Sequence, residues 1–282
     1  ILDQLIEKLV IMDKGQLRKL PSLSERRAEI IVPGALIMQS AMHMLGIEEV
    51  VLSERALREG LVVDWMFRKG LLKNRFSLQG SIRERTVIHQ AERFSVNRYR
   101  SERVAKHALA IYDNTNGLLH HDQGFGRNLL WAAAILYECG QHINLSAYHK
   151  HSWYLIRHGE LLGYTQSEHL MVAAIARYHR KSLPKKRHDA WQVIESKENR
   201  RIVSEMSLIL RLAAALERRP EPVIAGLNFF ATPLEINIQL VPEKSNQNLG
   251  LEQWSLSNCI SIVKELTGLN LQVTVENLDV SN

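Results

Sequence analysis

"SEHLMVAAIARYHRK", Ser167 to Lys181, sets the character of the chain. Its apolar residues recur every three to four positions, the spacing of a helix with one buried face. His179 follows Ile175 and Ala176 by four and three residues and shares that face. Arg177, Arg180 and Lys181 stand at i, i+3 and i+4 and share a different one. One helix thus offers an inward imidazole and a separate cationic stripe. Lys185, Lys186 and Arg187 continue the charge past Pro184. Cations there also suit the negative, C-terminal end of a helix dipole.

The same spacing repeats from Val96 to Arg219, in "RYRSERVAKHALAIYDNT", "RNLLWAAAILYECG", "HKHSWYLIRHGELLG" and "NRRIVSEMSLILRLAAALERR", and predicts an all-helical domain over 96–219. "RRPEP" marks its end. Beyond it, "VIAGLNFFAT" and "LEINIQLVP" alternate as strands, "GLEQWSLSNCISIVKELTG" reads as a helix and "LNLQVTVE" as a further strand. Residues 220–282 therefore form a small β-α-β C-terminal unit. Upstream, 1–72 reads as α/β. "LSERRAEIIVPGALIMQSAMHMLG" is helical, with Ser24 as N-cap, Glu25 in the first turn, a break at Pro33 and a stop at Gly46. "IEEVVLS" reads as a strand and "ERALREGLVVDWMFRKG" as a helix. Residues 73–95 are mixed, basic and weakly periodic, and read as connector. The fold class is α+β, mainly α-helical.

The 282 residues, 45% hydrophobic and 23% charged, describe ordinary globular material able to bury a core. The longest apolar run, "LLWAAAILY", falls far short of the roughly 20 residues of a membrane span. No basic-then-apolar leader is visible, and Cys139 and Cys259 have no metal or redox spacing, which suits reduced thiols in a cytoplasmic protein. The chain opens inside a helix, "ILDQLIEKLV", without an initiator Met, and reads as a piece of a longer protein. Its net charge is +6, yet residues from Glu221 onward hold two Lys against seven Asp or Glu. The remainder is strongly basic, as expected of a body that faces a polyanion.

Ten of the twelve histidines lie between His107 and His188, which invites a metal reading. Helical position sorts them. His151 lies in line with Leu155 and His158, whereas His149 faces elsewhere. Glu138 follows Trp131, Ala134 and Ile135 on an apolar face, so it should be buried and paired, with His151 or His179 as candidate neighbours. The dipeptides His121-Asp122 and His188-Asp189 lie in loop-like sequence and read as solvated.

Two blocks, "SERRAEIIVPGALIMQSAMHMLGIEEVVLSERALREGLVVDW" (Ser24 to Trp65) and "YHKHSWYLIRHGELLGYTQSEHLMVAAIARYHRKSLPKK" (Tyr148 to Lys186), carry a likeness to a known family. The chain resembles the exopolyphosphatase / guanosine pentaphosphate phosphohydrolase (Ppx/GppA) family. The first block looks like the end of the family's second actin-like domain, over 1–72, and the second like its helical domain. The resemblance implies a parent hydrolase that removes terminal phosphates from inorganic polyphosphate or the end phosphate of guanosine pentaphosphate, with Mg²⁺ as cofactor. In the family, the Gly-rich phosphate loops and the catalytic carboxylate sit in the N-terminal actin-like half. No strand followed by such a Gly-rich turn occurs here. This fragment alone is therefore expected to be inactive, with no catalytic residue and no bound metal of its own.

The family's helical domain is similar in turn to the HD phosphohydrolases. Carried over position by position, their first His falls at Arg100, their His-Asp pair at Tyr137 and Glu138, and their late Asp at Ala214. His151 and His179 are what remains of the ligand set. The implied arrangement is a relict site, with Tyr137, Glu138, His151 and His179 forming a buried polar network.

For the basic segment, two readings stay open: a plain solvated face, or a polyanion contact made by Arg177, Arg180, Lys181, Lys185, Lys186 and Arg187. Arg100 and Arg103 would join the latter if their helix is a neighbour. "FRKGLLKNR" and "SIRER" are further basic candidates. The expected role is the C-terminal portion of an exopolyphosphatase-like enzyme that binds and channels polyphosphate or guanosine pentaphosphate. Its expected partners are the N-terminal half of the same protein and a second copy in a homodimer. No membrane is involved, and nucleic acid is not an expected partner. The alternative is a basic, degenerate HD-like module that binds RNA or nucleotide in a regulatory role. It lacks aromatic-studded strands.

Overall fold

Side-chain caps written in the sequence, Asp13, Ser81, Asn97, Thr165 and Ser196, begin five of the helices among the described residues. In the computed structural model, which describes residues 2–21, 23–50 and 81–276 with Arg58, Leu61, Val62 and Trp65 between them, the chain forms two compact units, Ile1–Leu61 and Val62–Asn282. The class is mainly α-helical α+β.

The first unit contains α1 (Leu2–Val10), α2 (Lys14–Arg18), α3 (Glu25–Ala28) and α4 (Ile31–Leu45). Leu9, Leu17 and Ala28 form its small core, with Ile31, Val32 and Ala35 packed against them. Gly46 ends α4 in the left-handed conformation (φ 63°) that favours glycine, as the sequence predicts. Pro33 does not break a helix. It stands in the first turn of α4, where a missing N–H costs nothing, and the break comes earlier, at Glu29 and Ile30. Of the expected strand, residues 47–50 have no regular structure, and 51–53 lie outside the described residues, as does most of the helix expected after them.

The second unit begins with α5 (Ile82–Arg93). All of this helix falls in the stretch, 73–95, that reads as connector from sequence. Ser81 and Glu84 close a capping box on it, and Val87 and Ala91 enter the main core. Of its four buried side chains, Thr86 and Gln90 are polar and only Val87 and Ala91 are apolar, which leaves little hydrophobic periodicity to read. The helices α6 (Arg98–Asn114), α7 (Phe125–Leu136), α8 (Tyr148–Arg157), α9 (Gln166–Tyr178), the short α10 (Asp189–Gln192) and α11 (Lys197–Leu216) follow. Asn97, Thr165 and Ser196 cap α6, α9 and α11 with side-chain oxygens. The alanines of α7, Ala132 to Ala134, are fully buried and let its neighbours approach closely. Helix α11 crosses behind, packing on α6, α7 and α9.

The chain then makes β1 (Ile224–Thr232) and β2 (Glu235–Pro242), an antiparallel pair, and β3 (Asn270–Val275), parallel to β2. The crossover between β2 and β3 is two helices, α12 (Gly250–Ser257) and α13 (Ile260–Thr267), rather than one. Ile236, Ile238 and Leu240 point inward at alternate positions of β2 and belong to the same core as the helices. This sheet therefore shares the helical core instead of building its own. No helix among the described residues is long and apolar enough to cross a membrane.

Candidate functional site

The basic segment lies where α9 ends. Tyr178 is its last residue, His179 its C-cap, and Lys181 takes a left-handed backbone (φ 63°). Lys181, Lys185, Lys186 and Arg187 are exposed, and Arg177 and Arg180 are half-buried. The ion pairs among the described residues involve none of these six. Two guanidinium groups rest on aromatic faces instead: Arg180 lies 4.6 Å above the Tyr148 ring and Arg177 5.8 Å from that of Tyr178. Burial lowers the pKa of Arg177. The stripe expected from helical spacing exists and enters no ion pair among the described residues, although the Asp189 charge reaches Arg177.

Below it, His179 is fully enclosed. Its Nδ1–H donates to the Ala176 carbonyl (2.6 Å), so Nε2 is left to accept from the Tyr148 hydroxyl (3.1 Å). Burial, with His149, Arg180 and Arg211 nearby, depresses its pKa to about 3. It is neutral at physiological pH. The Tyr137 ring meets it edge-on at 5.0 Å. The Tyr137 hydroxyl is buried with no hydrogen-bond partner among the described residues, and burial, then the neighbouring Glu138 charge, holds it well above the usual phenol range. His149 is buried too, and its Nδ1 has no partner. Burial, then Arg177, Arg180, Lys150 and Lys181, brings its pKa to about 4.

His149, not His151, thus accompanies His179. Helix α8 begins only at Tyr148, after Ala147 in a left-handed cap, and its buried face is His149, Ser152, Trp153 and Ile156. Trp153 and Ile156 set that face, and His151 is carried to its margin. At the start of α8 the backbone packs hard on a 3₁₀ turn, Cys139–His142. The Ser152 hydroxyl donates to the Tyr137 carbonyl (2.7 Å) and accepts from the Gly140 N–H (3.0 Å).

Glu138 is buried and paired as expected, but its partner is Arg100 (3.3 Å) rather than a histidine. Arg100 also donates to the Glu217 carbonyl (2.8 Å). Arg103 donates to the Glu217 carboxylate (2.8 Å) and the Pro220 carbonyl (3.0 Å), and His107 meets the other Glu217 oxygen at 2.9 Å. Burial would raise the Glu217 pKa, but His107 and Arg103 hold it below the ordinary value. Arg100 and Arg103 are therefore internal partners of carboxylates and do not belong to the open cationic stripe. "SIRER" is similar: Arg83 pairs with Glu168 (2.8 Å) and lies over Tyr164. "FRKGLLKNR" lies outside the described residues.

Of the loop dipeptides, His121-Asp122 departs from the solvated reading at Asp122, whereas His188 is half-buried and Asp189 exposed. Asp122 is buried, and its partner is His120, at 2.7 Å, while His121 is exposed. Asp122 accepts from the Tyr112 hydroxyl (2.7 Å) and from the Gly126 and Gly124 amides, which caps α7. His188 accepts from the Lys185 amide and Asp189 from the Trp153 indole, each at 3.2 Å.

Among the described residues no three His, Cys, Asp or Glu side chains converge as metal ligands. The donor set of this cluster does not fit Mg²⁺, which requires oxygen ligands. Glu138 already neutralises Arg100, and His149 and His179 stand among cations.

A basic helix end with no ion-paired carboxylate among the described residues thus lies above a neutral His-Tyr cluster. The model of Ppx/GppA phosphatase, domain III, matches residues 82–266, and that of the Ppx/GppA phosphatase family matches residues 1–69. The chain belongs to the Ppx/GppA phosphatase family. Among its curated relatives are guanosine-5'-triphosphate,3'-diphosphate pyrophosphatases. That of Pseudoalteromonas translucida is 35% identical over 59% of this chain and 32% of its own length. That of Pseudoalteromonas atlantica is 30% identical over 70% and 37%. That of Vibrio vulnificus is 25% identical over 97% and 50%. The chain thus spans about half, or less, of the length of these Ppx/GppA relatives.

Proposed function

We propose that this chain is the C-terminal portion of a phosphohydrolase that acts on inorganic polyphosphate or guanosine pentaphosphate, and that its helical unit holds the polyanion. One observation carries the reading: six cationic side chains at the end of α9, Arg177, Arg180, Lys181, Lys185, Lys186 and Arg187, enter no ion pair with a carboxylate among the described residues. A linear polyphosphate needs such charge, with Arg offering planar forks and Lys point charge.

The cluster beneath is a relict of a metal site, in which the Arg100 guanidinium supplies the positive charge beside Glu138. Hydrolysis, Mg²⁺ and the phosphate-cradling loops belong to the N-terminal half of the protein. Support for that partner comes from α4, none of whose side chains is buried although Ile37, Met44 and Leu45 are apolar. A second copy completes a dimer in the cytoplasm.

The test is retention of the 282-residue chain on immobilised polyphosphate. Retention that weakens with salt, and drops when Arg180→Ala and Lys181→Ala are combined, is expected. Equal retention of the double variant rejects the reading, and stronger binding to RNA of equal charge points to a regulatory nucleic-acid module instead. Polyphosphate hydrolysis by this chain alone would overturn the division of labour.

A further inference from the structure

The C-terminal end of a helix suits these cations but not the anion they would hold. The last carbonyls of α9 lack intrahelical partners and carry the partial negative charge of the helix dipole, which disfavours an anion. Arg211, from the C-terminal half of α11, meets that end. Its Nη2 donates to the Tyr178 carbonyl (3.0 Å) and to the Lys181 carbonyl (2.9 Å). The two carbonyls bracket His179 and Arg180, and the second belongs to the residue in the left-handed conformation, uncommon for anything but glycine. Arg211 is half-buried, and among the described residues it has no carboxylate as an ion-pair or hydrogen-bond partner.

We propose that Arg211 is a positioning residue for polyanion binding: it locks the turn from Tyr178 to Lys181 and offsets the negative pole of α9, without touching the anion itself. The inference rests on the polyanion reading above. Two anchored carbonyls fix the backbone on both sides of Arg180, so that its guanidinium stays over Tyr148 with its outer edge open. The left-handed turn sends the Lys181 side chain away from the path a continued helix would give it. A guanidinium suits this place because it is always charged and satisfies acceptors that would otherwise face the bound phosphates.

The test measures the dissociation constant of polyphosphate of one fixed length for the whole chain over a range of salt concentrations, beside the thermal midpoint. Arg180→Ala, which removes a phosphate contact, is expected to weaken binding and flatten the salt dependence. Arg211→Gln is expected to weaken binding about tenfold, the worth of one charge-assisted hydrogen bond, with the salt dependence unchanged. Arg211→Lys keeps the charge but not the fork, and is expected to bind about threefold more weakly than the native chain. If Arg211→Gln does not fold, Arg211→Lys decides in the same way. Native affinity in the deciding Arg211 variant, beside a weakened Arg180→Ala, overturns the positioning role. So does a flattened salt dependence, because Arg211 would then touch the anion. Native affinity in the Arg180→Ala, Lys181→Ala chain defeats the polyanion reading itself, which keeps the two failures apart.

Discussion

The Arg100 guanidinium lies 3.3 Å from the Glu138 carboxylate, at a place where Glu138 is almost wholly enclosed. A half-exposed cation therefore neutralises a buried anion, and removing one partner strands the other. Arg100→Met is expected to lower stability by about 2–3 kcal/mol, less than a fully buried pair because Arg100 keeps some water. Adding Glu138→Gln should recover about half of that loss or more. Urea unfolding of the single and double variants checks it. Equal losses in both would show that the pair is not what holds the charge.

Acid should weaken the fold through His179. Its folded pKa, about 3, lies below the unfolded value near 6.5, so the unfolded chain binds the proton first. Stability is then fully present above pH 6.5 and declines as pH falls toward 3, by at most roughly 1.4 kcal/mol per pH unit. Between pH 6.5 and 4.5 the depressed carboxylates Glu217 and Asp122 contribute little, which isolates the histidine effect, with His149 adding to it. A folded His179→Gln chain should show a flatter stability profile in that window, and an unchanged profile would rule His179 out as its source.

Asp122 caps α7 and joins Tyr112 to His120. Burial alone would raise its pKa, yet the Tyr112 hydroxyl, the Gly126 amide and His120 hold it below the ordinary value. Asp122→Ala leaves several donors unmet and should cost about 2–3 kcal/mol, read from the denaturation midpoint. A loss under about 0.5 kcal/mol, the size of an ordinary surface change, would mean that the solvated-loop reading was right after all.

Gly140 has no room for a side chain. A Cβ there would lie 2.1 Å from the Tyr148 carbonyl oxygen and 2.3 Å from the Ser152 nitrogen, both backbone atoms. Gly140→Ala must push α8 away and should destabilise by about 3 kcal/mol or more. The same shift would displace Tyr148 and His149 from the cluster. Calorimetry of the variant gives the answer, and a native-like midpoint would show that the helix yields easily.

Helical periodicity was legible wherever a helix has one long apolar stripe: the five main helices of the second unit stand within a few residues of their expected places. The cationic stripe was legible for the same reason, because Arg177, Arg180 and Lys181 are neighbours along one helix. Helix α5 was missed because its buried face is short, although Ser81 and Glu84 spell a capping box. His149 was missed because the phase of α8 depends on where the helix starts, and that is decided by a left-handed Ala147.

The sequence by itself determined the local order of the chain and which residues carry charge, since both depend on near neighbours. Only the tertiary structure decided which charges are free. Arg100 and Arg180 are alike in sequence, but Arg100 meets Glu138 and Glu217, residues 38 and 117 positions away, while Arg180 lies over a tyrosine face and enters no ion pair among the described residues. Pairing is a property of packing between distant helices, and no spacing along one of them could reveal it.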